Sequence, residues 1–303
     1  MSKRKQRRWP RVLQGLVGYL LTLILALMLT GGCVLSLMQR LLTDQALHGR
    51  VAADDRVIDL QMARMDGEIC DLAEEYSFAP ETVLNLVTRD GVRAYGQEIV
   101  AWWMGLMGQQ PVLTAPMPDT DEIAEAVRED ALFQEHTESY LRRVIAQDSV
   151  AYPVGKALQG TVLPIRVSVV AVAMPEVMER VSLPALMEQL ALAVKALFGA
   201  SAVLLLLVLA SQGRNRFVFA SAGLLAADAL LAAMTVAVRA ADLPGALSAL
   251  SAALGLQAGI LMEVLTPSVL LAEGGLLLAG VVLLALGLLT ARRAHRQTAG
   301  ASA

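Results

Sequence analysis

Asp228 is the residue whose chemistry and position most demand an explanation. It stands halfway along an apolar run, Phe217 to Val238, between Ala226-Ala227 and Ala229. An ionisable side chain at mid-bilayer costs roughly 2.5–3.5 kcal/mol on insertion scales, so it faces a partner or a water-filled cavity. Two chemistries suit it: a neutral carboxyl acting as hydrogen-bonding glue between helices, or a titrating group that relays a proton or ion or gates a path. Counting back from the basic turn Gln212–Arg216 puts Asp228 level with Ala200 on the preceding run. There Gly199 and Ser201 are small enough for close helix approach, and Ser201 can hydrogen-bond. A hydrolytic aspartyl site would need a second acid at the same depth, and the sequence offers none.

Lys195 and Glu273 form a second candidate pair. Both lie roughly 24–26 Å from the inner face at the rise of an α-helix, so an ion pair between their helices is one expectation and separate snorkelling to headgroups the other. These four, Asp228, Ser201, Lys195 and Glu273, are the intramembrane polar candidates. No catalytic, cofactor-binding or metal site is expected. The chain has no phosphate-binding glycine loop, HExxH, CxxC or GxSxG motif. Its three histidines, at 48, 136 and 295, lack ligand spacing. Asp119, Asp121, Glu122, Glu125, Glu129 and Asp130 make an acidic helix, read as a solvated face; it lacks the glycine turn and terminal glutamate of a calcium loop. Cys33 and Cys70 give no disulfide framework, and Cys70 is expected to be a small core residue.

The elements that carry these residues follow from composition. The 303 residues are 56% hydrophobic and 4% aromatic, with a mean hydropathy of +0.55, too apolar for a soluble domain. Val12 to Gln39 holds no charged side chain over 28 residues, more than the ~20 needed to cross the hydrocarbon. A faint lipoprotein-like stretch at Leu29–Cys33 competes, but apolar sequence continues past Cys33 to Met38, and an uncleaved anchor fits better. The expected fold is all-α, with four transmembrane helices, one N-terminal (12–39) and three C-terminal (187–211, 217–238, 268–290). A helical extracytoplasmic domain, 40–186, is inserted after the first. Leu243 to Met262 is uncharged for 20 residues, but its leucines at 243, 247, 250, 254 and 261 make one helical stripe. It is therefore read as an interfacial helix within an extracytoplasmic loop, 239–267, rather than a fifth span.

Charge sets the orientation. The N-terminus 1–11, the turn 212–216 and the tail 291–303 carry 6, 2 and 3 Lys/Arg and no acid, whereas 40–186 carries 12 Lys/Arg against 23 Asp/Glu. The positive-inside bias then places both termini in the cytoplasm of a plasma-membrane protein, and the acidic domain excludes nucleic acid as a partner. Within that domain, Ile58, Met62, Met65, Ile69 and Leu72 mark one face of a helix over Asp55–Tyr76. Pro80 opens the next helix, and Asp90 is expected to cap one running to Met107. Gly108–Pro118 reads as a loop, and Asp119 with Glu122 as a capping-box start of one helix to Gln134. A further helix runs from Thr137 to Val150. Thr161–Met174 reads as a helix kinked at Pro164, and Trp102 and Trp103 as an interfacial or buried pair.

The expected function is noncatalytic: a transport-associated or scaffold subunit whose partners are the lipid bilayer and a protein bound through the extracytoplasmic domain. One span, an exported domain and three further spans, with both ends inside, resembles the permease subunits of cell-division and macrolide-export ABC transporters. The likeness is of layout alone and would imply an ATPase partner. A membrane-anchored sensor is the alternative. An intramembrane enzyme lacks a second catalytic group.

Overall fold

The computed structural model describes residues 11–107, 116–162, 183–212 and 215–300, which are helical with no strand among them. Among these residues four helices are long and apolar enough to cross a bilayer, as expected of an all-α membrane protein. Contacts divide the chain into a membrane unit, Met1–Arg40, Met187–Ala241 and Leu265–Ala303, and a helical domain, Leu41–Leu186 and Asp242–Val264.

The domain begins where α1 (Arg11–Thr43) ends. Asp44 caps α2 (Gln45–Ala52) by accepting from the Leu47 amide, and Asp54 caps α3 (Asp55–Tyr76) by accepting from Arg56. The left-handed Ser77, φ 56°, stops α3, an αL termination without glycine. The α3 bounds are those its apolar period gives. Ile58, Met65 and Ile69 are fully buried, with Met62 and Leu72 packed at the margin. Pro80 occupies the first turn of α4 (Pro80–Leu84), where its missing amide has no helical partner to lose. The start of α5 (Arg89–Met107) departs from expectation: Thr88 Oγ1 takes the Gly91 amide, while Asp90 lies in the first turn and pairs with Arg93. Cys70 is exposed, because the residue after buried Ile69 points away from the core stripe.

The acidic stretch forms two helices, α6 (Asp121–Glu129) and α7 (Ala131–His136). Asp130 is the reason for the break. Held extended at φ −62°, ψ 130°, it ends α6 and caps α7. Its carboxylate accepts from the Phe133 amide at 3.1 Å, the Ala79 amide at 3.2 Å and the Thr82 hydroxyl at 2.7 Å. One side chain thereby ties the start of α4 to the α6–α7 corner, beside the fully buried Phe133. Asp119 accepts from the Asp121 amide, and no reciprocal bond from Glu122 completes a capping box.

After a turn at 138–141 the chain continues as α8 (Arg142–Val144), a π-helical stretch Ile145–Ala151 and α9 (Tyr152–Val162). The expected helix to Val150 is therefore longer. Pro153 would clash with the carbonyl four residues back in a regular helix, and the wide π turns ahead of it remove that clash. Their inner face, Ala146, Val150, Ala151 and Val154, joins the core of Ile58, Met65, Ile69, Val127 and Phe133. Tyr95 donates to the Pro116 carbonyl at 2.8 Å, and burial pushes its hydroxyl pKa up to about 12. Part of the expected Gly108–Pro118 loop, the Thr161–Met174 segment beyond Val162 and the side chain of Trp103 lie outside the described residues.

The region read as one interfacial helix is divided. It holds α12 (Leu243–Ser248), whose cap Asp242 is left-handed at φ 43°, and the first turns of α13 (Ala252–Gly300). Its buried side is not the leucine stripe. Leu243 and Leu250 are exposed, while Gly255, Gln257, Ala258 and Ile260 turn inward. Ile260 packs on Val51 and Val57, flanked by Leu256, Leu261 and Val264, and the Glu263 carboxylate accepts two bonds from the Arg56 guanidinium. A Cβ at Gly255 would stand 2.7 Å from the Ser248 backbone and 2.8 Å from the Pro244 carbonyl, so the corner requires glycine. Residues 242–264 thus complete a domain built from two segments.

Asp130 generates a prediction. Burial raises its pKa, but the bonds from Thr82 and from the amides of Phe133, Ala79 and Leu132 outweigh it and hold the carboxyl below its ordinary value. A depressed folded pKa means its contribution is present above the unfolded value and is lost as pH falls through the folded one. Asp130→Ala should cost about 1–2 kcal/mol near neutral pH, the range for a lost cap. The gap to wild type should close below about pH 4. Thermal unfolding of the full-length protein across pH checks both, and a gap that persists in acid removes the account.

Candidate functional site within the membrane unit

The membrane unit comprises most of α1, then α10 (Leu183–Ser211), α11 (Arg216–Ala240) and the remainder of α13. On α1, Gly18, Thr22, Ala26 and Thr30 recur every fourth residue and share one face. Thr22 Oγ1 donates to the Gly18 carbonyl at 2.8 Å and reaches the Phe219 carbonyl at 3.3 Å. Thr30 Oγ1 does the same with Ala26 at 2.9 Å and Ala227 at 3.3 Å. Both interhelical pairs span 197 residues of sequence, so α1 and α11 run parallel and in register. Close approach requires small residues between the threonines. α11 supplies Ala220, Gly223 and Ala227, all buried, and a Cβ at Gly223 would stand 2.8 Å from Leu25 Cδ2.

The other pairings are antiparallel. Gly18 lies against Gln212 and Gly32 against Phe198 between α1 and α10, while Gly280 lies against Leu225 and Gly287 against Phe217 and Val218 between α13 and α11. The helices therefore alternate in direction, and the N-terminal end of α1 and the C-terminal end of α13 fall on one side of the unit.

This register places each expected polar residue. Asp228 follows Ala227, the partner of Thr30, and so lies level with Gly31 and, through the Gly32–Phe198 contact, with Gly199 of α10. It is half-buried, and no hydrogen bond joins it to Ser201. The Ser201 hydroxyl is buried without a partner among the described residues, as is that of Ser221 on α11, so Ser201 contributes its small size. Lys195 is exposed and makes no ion pair with Glu273. The Glu273 carboxylate instead accepts from Thr235 Oγ1 at 2.9 Å, and the same hydroxyl lies 2.9 Å from the Leu231 carbonyl. Having one proton, it serves one acceptor at a time.

The partner of Glu273, Thr235, is seven residues from Asp228 on α11, roughly 10 Å along the axis. The acids are not a carboxyl dyad, and no described hydrogen-bond chain links them. What the arrangement does chemically is tie α11 to α13 through Thr235 and Glu273. In the helical domain, His48 and His136 each bond a backbone carbonyl, of Leu41 and Leu132, and no group of three or more potential metal ligands occurs among the described residues.

Thr235, Thr22 and Thr30 escaped the search for chemistry because a threonine inside an apolar run reads as filler. The every-fourth-residue spacing of Gly18, Thr22, Ala26 and Thr30 was the available signal. Thr235→Val and Glu273→Leu should each lower stability by about 0.6–1.7 kcal/mol, the range for interhelical hydrogen bonds. Sharing one interaction, the double variant should cost little more than the worse single one. Thermal melts in detergent test this, and additive losses exclude the bond.

No family model, curated protein or solved structure matches this chain.

Proposed function

We propose that the chain is a noncatalytic membrane subunit, a scaffold or transport-associated component, whose helical domain docks a protein partner. One observation carries the reading. Along α8, the π turns and α9, Leu141, Val144, Asp148, Tyr152 and Lys156 form an exposed row opposite the core face. Tyr140 beside it is 72% exposed, Val144 54% and Tyr152 48%. Leucine, valine and tyrosine side chains standing exposed along one face, with Asp148 and Lys156 among them, mark an interaction surface, and tyrosine is favoured there because it supplies large contact area with a polar tip. Lys156 stands 5.8 Å from the Tyr152 ring centroid, adding a positive edge to an acidic domain. π-helical turns also recur at functional sites.

The sidedness in this reading rests on charge. Basic residues flank the spans at 1–11, 212–216 and 291–303, and acids gather in 40–186, which supports cytoplasmic termini and an exported domain in the plasma membrane. The test is a photo-cross-linking residue at Val144 or Tyr152 in living cells, with exposed Glu75 on α3 as control. A discrete protein adduct at the first two sites and none at Glu75 is expected. Equal adducts at all three, or none, overturn the docking surface. An ATPase in the adduct supports a transport role, whereas a kinase or regulator moves the protein to the sensor reading.

A further inference from the structure

A groove of about 280 Å³ opens in the membrane unit between α1, α10 and α13. We propose that it holds an anionic phospholipid, with the phosphate at Arg40 and an acyl chain along Phe198 and Leu271.

The lining is two-ended. Arg40, Ser36 and Ser268 supply a guanidinium and two hydroxyls, and Cys33, Leu37, Phe198, Leu271 and Ala272 supply apolar surface. Register separates the ends. Arg40 Nη1 donates to Ser268 Oγ at 3.4 Å, fixing the polar end, while Gly32 lies against the Phe198 ring about two turns deeper along α1. Arg40 is also the first charged residue after the 28 uncharged positions of Val12–Gln39, the depth at which headgroup phosphates stand.

Charge decides the occupant. The guanidinium offers five N–H donors and no acceptor, and among the described residues Arg40 bonds only the neutral Ser268, with no carboxylate beside it. Glu263 and Glu273, equally near Ser268 along α13, are engaged with Arg56 and Thr235. Arginine matches phosphate oxygens in a bidentate fork. Among the described residues no acid or aromatic cage lines the groove to receive a choline group, so a net-negative headgroup fits and a zwitterionic one leaves its cation unpartnered. Phe198 is 38% exposed at the deep end and Leu271, one turn from Ser268, is 78% exposed, which leaves the groove open along its length for a chain to run out into the bilayer.

The experiment is native mass spectrometry of the full-length protein in detergent, titrated separately with dioleoylphosphatidylglycerol, dioleoylphosphatidylcholine and inorganic phosphate. The wild type should retain the glycerol lipid roughly tenfold better than the choline lipid, because both phosphates can accept from Arg40 but only the choline lipid brings a second cation, unpartnered, close to the guanidinium. Phosphate alone should not bind. Lys195→Gln, which removes another cation of the same unit, should keep the preference and Arg40→Gln should lose it. Ala272→Phe, which fills the groove one turn from Ser268 while leaving Arg40 in place, should lose it too and guards against a folding defect in the arginine variant. Equal retention of both lipids, a preference that survives Arg40→Gln or Ala272→Phe, or equal binding of free phosphate overturns the proposal.

Discussion

A helix in lipid gains nothing by hiding a leucine against another helix, because acyl chains are as apolar as the leucine. The membrane unit must be held by close backbone approach and by hydrogen bonds, and it has both along one seam. Thr22 and Thr30 reach carbonyls of α11 across Gly223 and Ala227. Because both bonds span the same stretch of sequence, the seam fixes direction and register together. The remaining glycine contacts then set α10 and α13 antiparallel to it.

The helical domain is likewise built from two separate stretches of the chain, 41–186 and 242–264. Ile260 on Val51 and Val57, and Glu263 on Arg56, join the second segment to the first. Exposed ion pairs contribute little on their own, so the buried Ile260 is the stronger tie and the Arg56 fork mainly selects its orientation. α13 runs through Pro267 just after the point where the chain passes from the domain back to the membrane unit. A proline within a long apolar helix is tolerated where neighbouring groups satisfy the freed carbonyl.

Much of this was legible in the sequence, for physical reasons. Apolar run length revealed the four spans, and a 3.6-residue period gave α3 its bounds and its core face. Depth counting put Asp228 within one residue of its level on α10. Side-chain partnership was not legible. Lys195 and Glu273 are level, but Glu273 turns to Thr235, since level residues meet only when their helices present the same face. Asp130 looked like one acid among six, and only the fold brings Ala79 and Thr82 to it. Within 243–262 the break after Ser248 and the packing of Ile260 on Val51 and Val57 were not legible, because the leucine stripe marks one face while small residues and Ile260 make the buried contact on another. Cys70 was misplaced because burial was argued from residue type rather than from its position next to Ile69.

The central claim is the parallel seam, and pairs of cysteines test it most directly. In a background lacking Cys33 and Cys70, Thr30→Cys with Ala227→Cys joins two positions in contact across α1 and α11. Thr22→Cys with Ala227→Cys joins positions that would meet only if the two helices ran in opposite directions. A short bifunctional thiol reagent applied to the full-length protein in membranes should link the first pair within one chain and leave the second unlinked. Linking of the second pair and not the first would contradict the arrangement from which the rest of the structure follows.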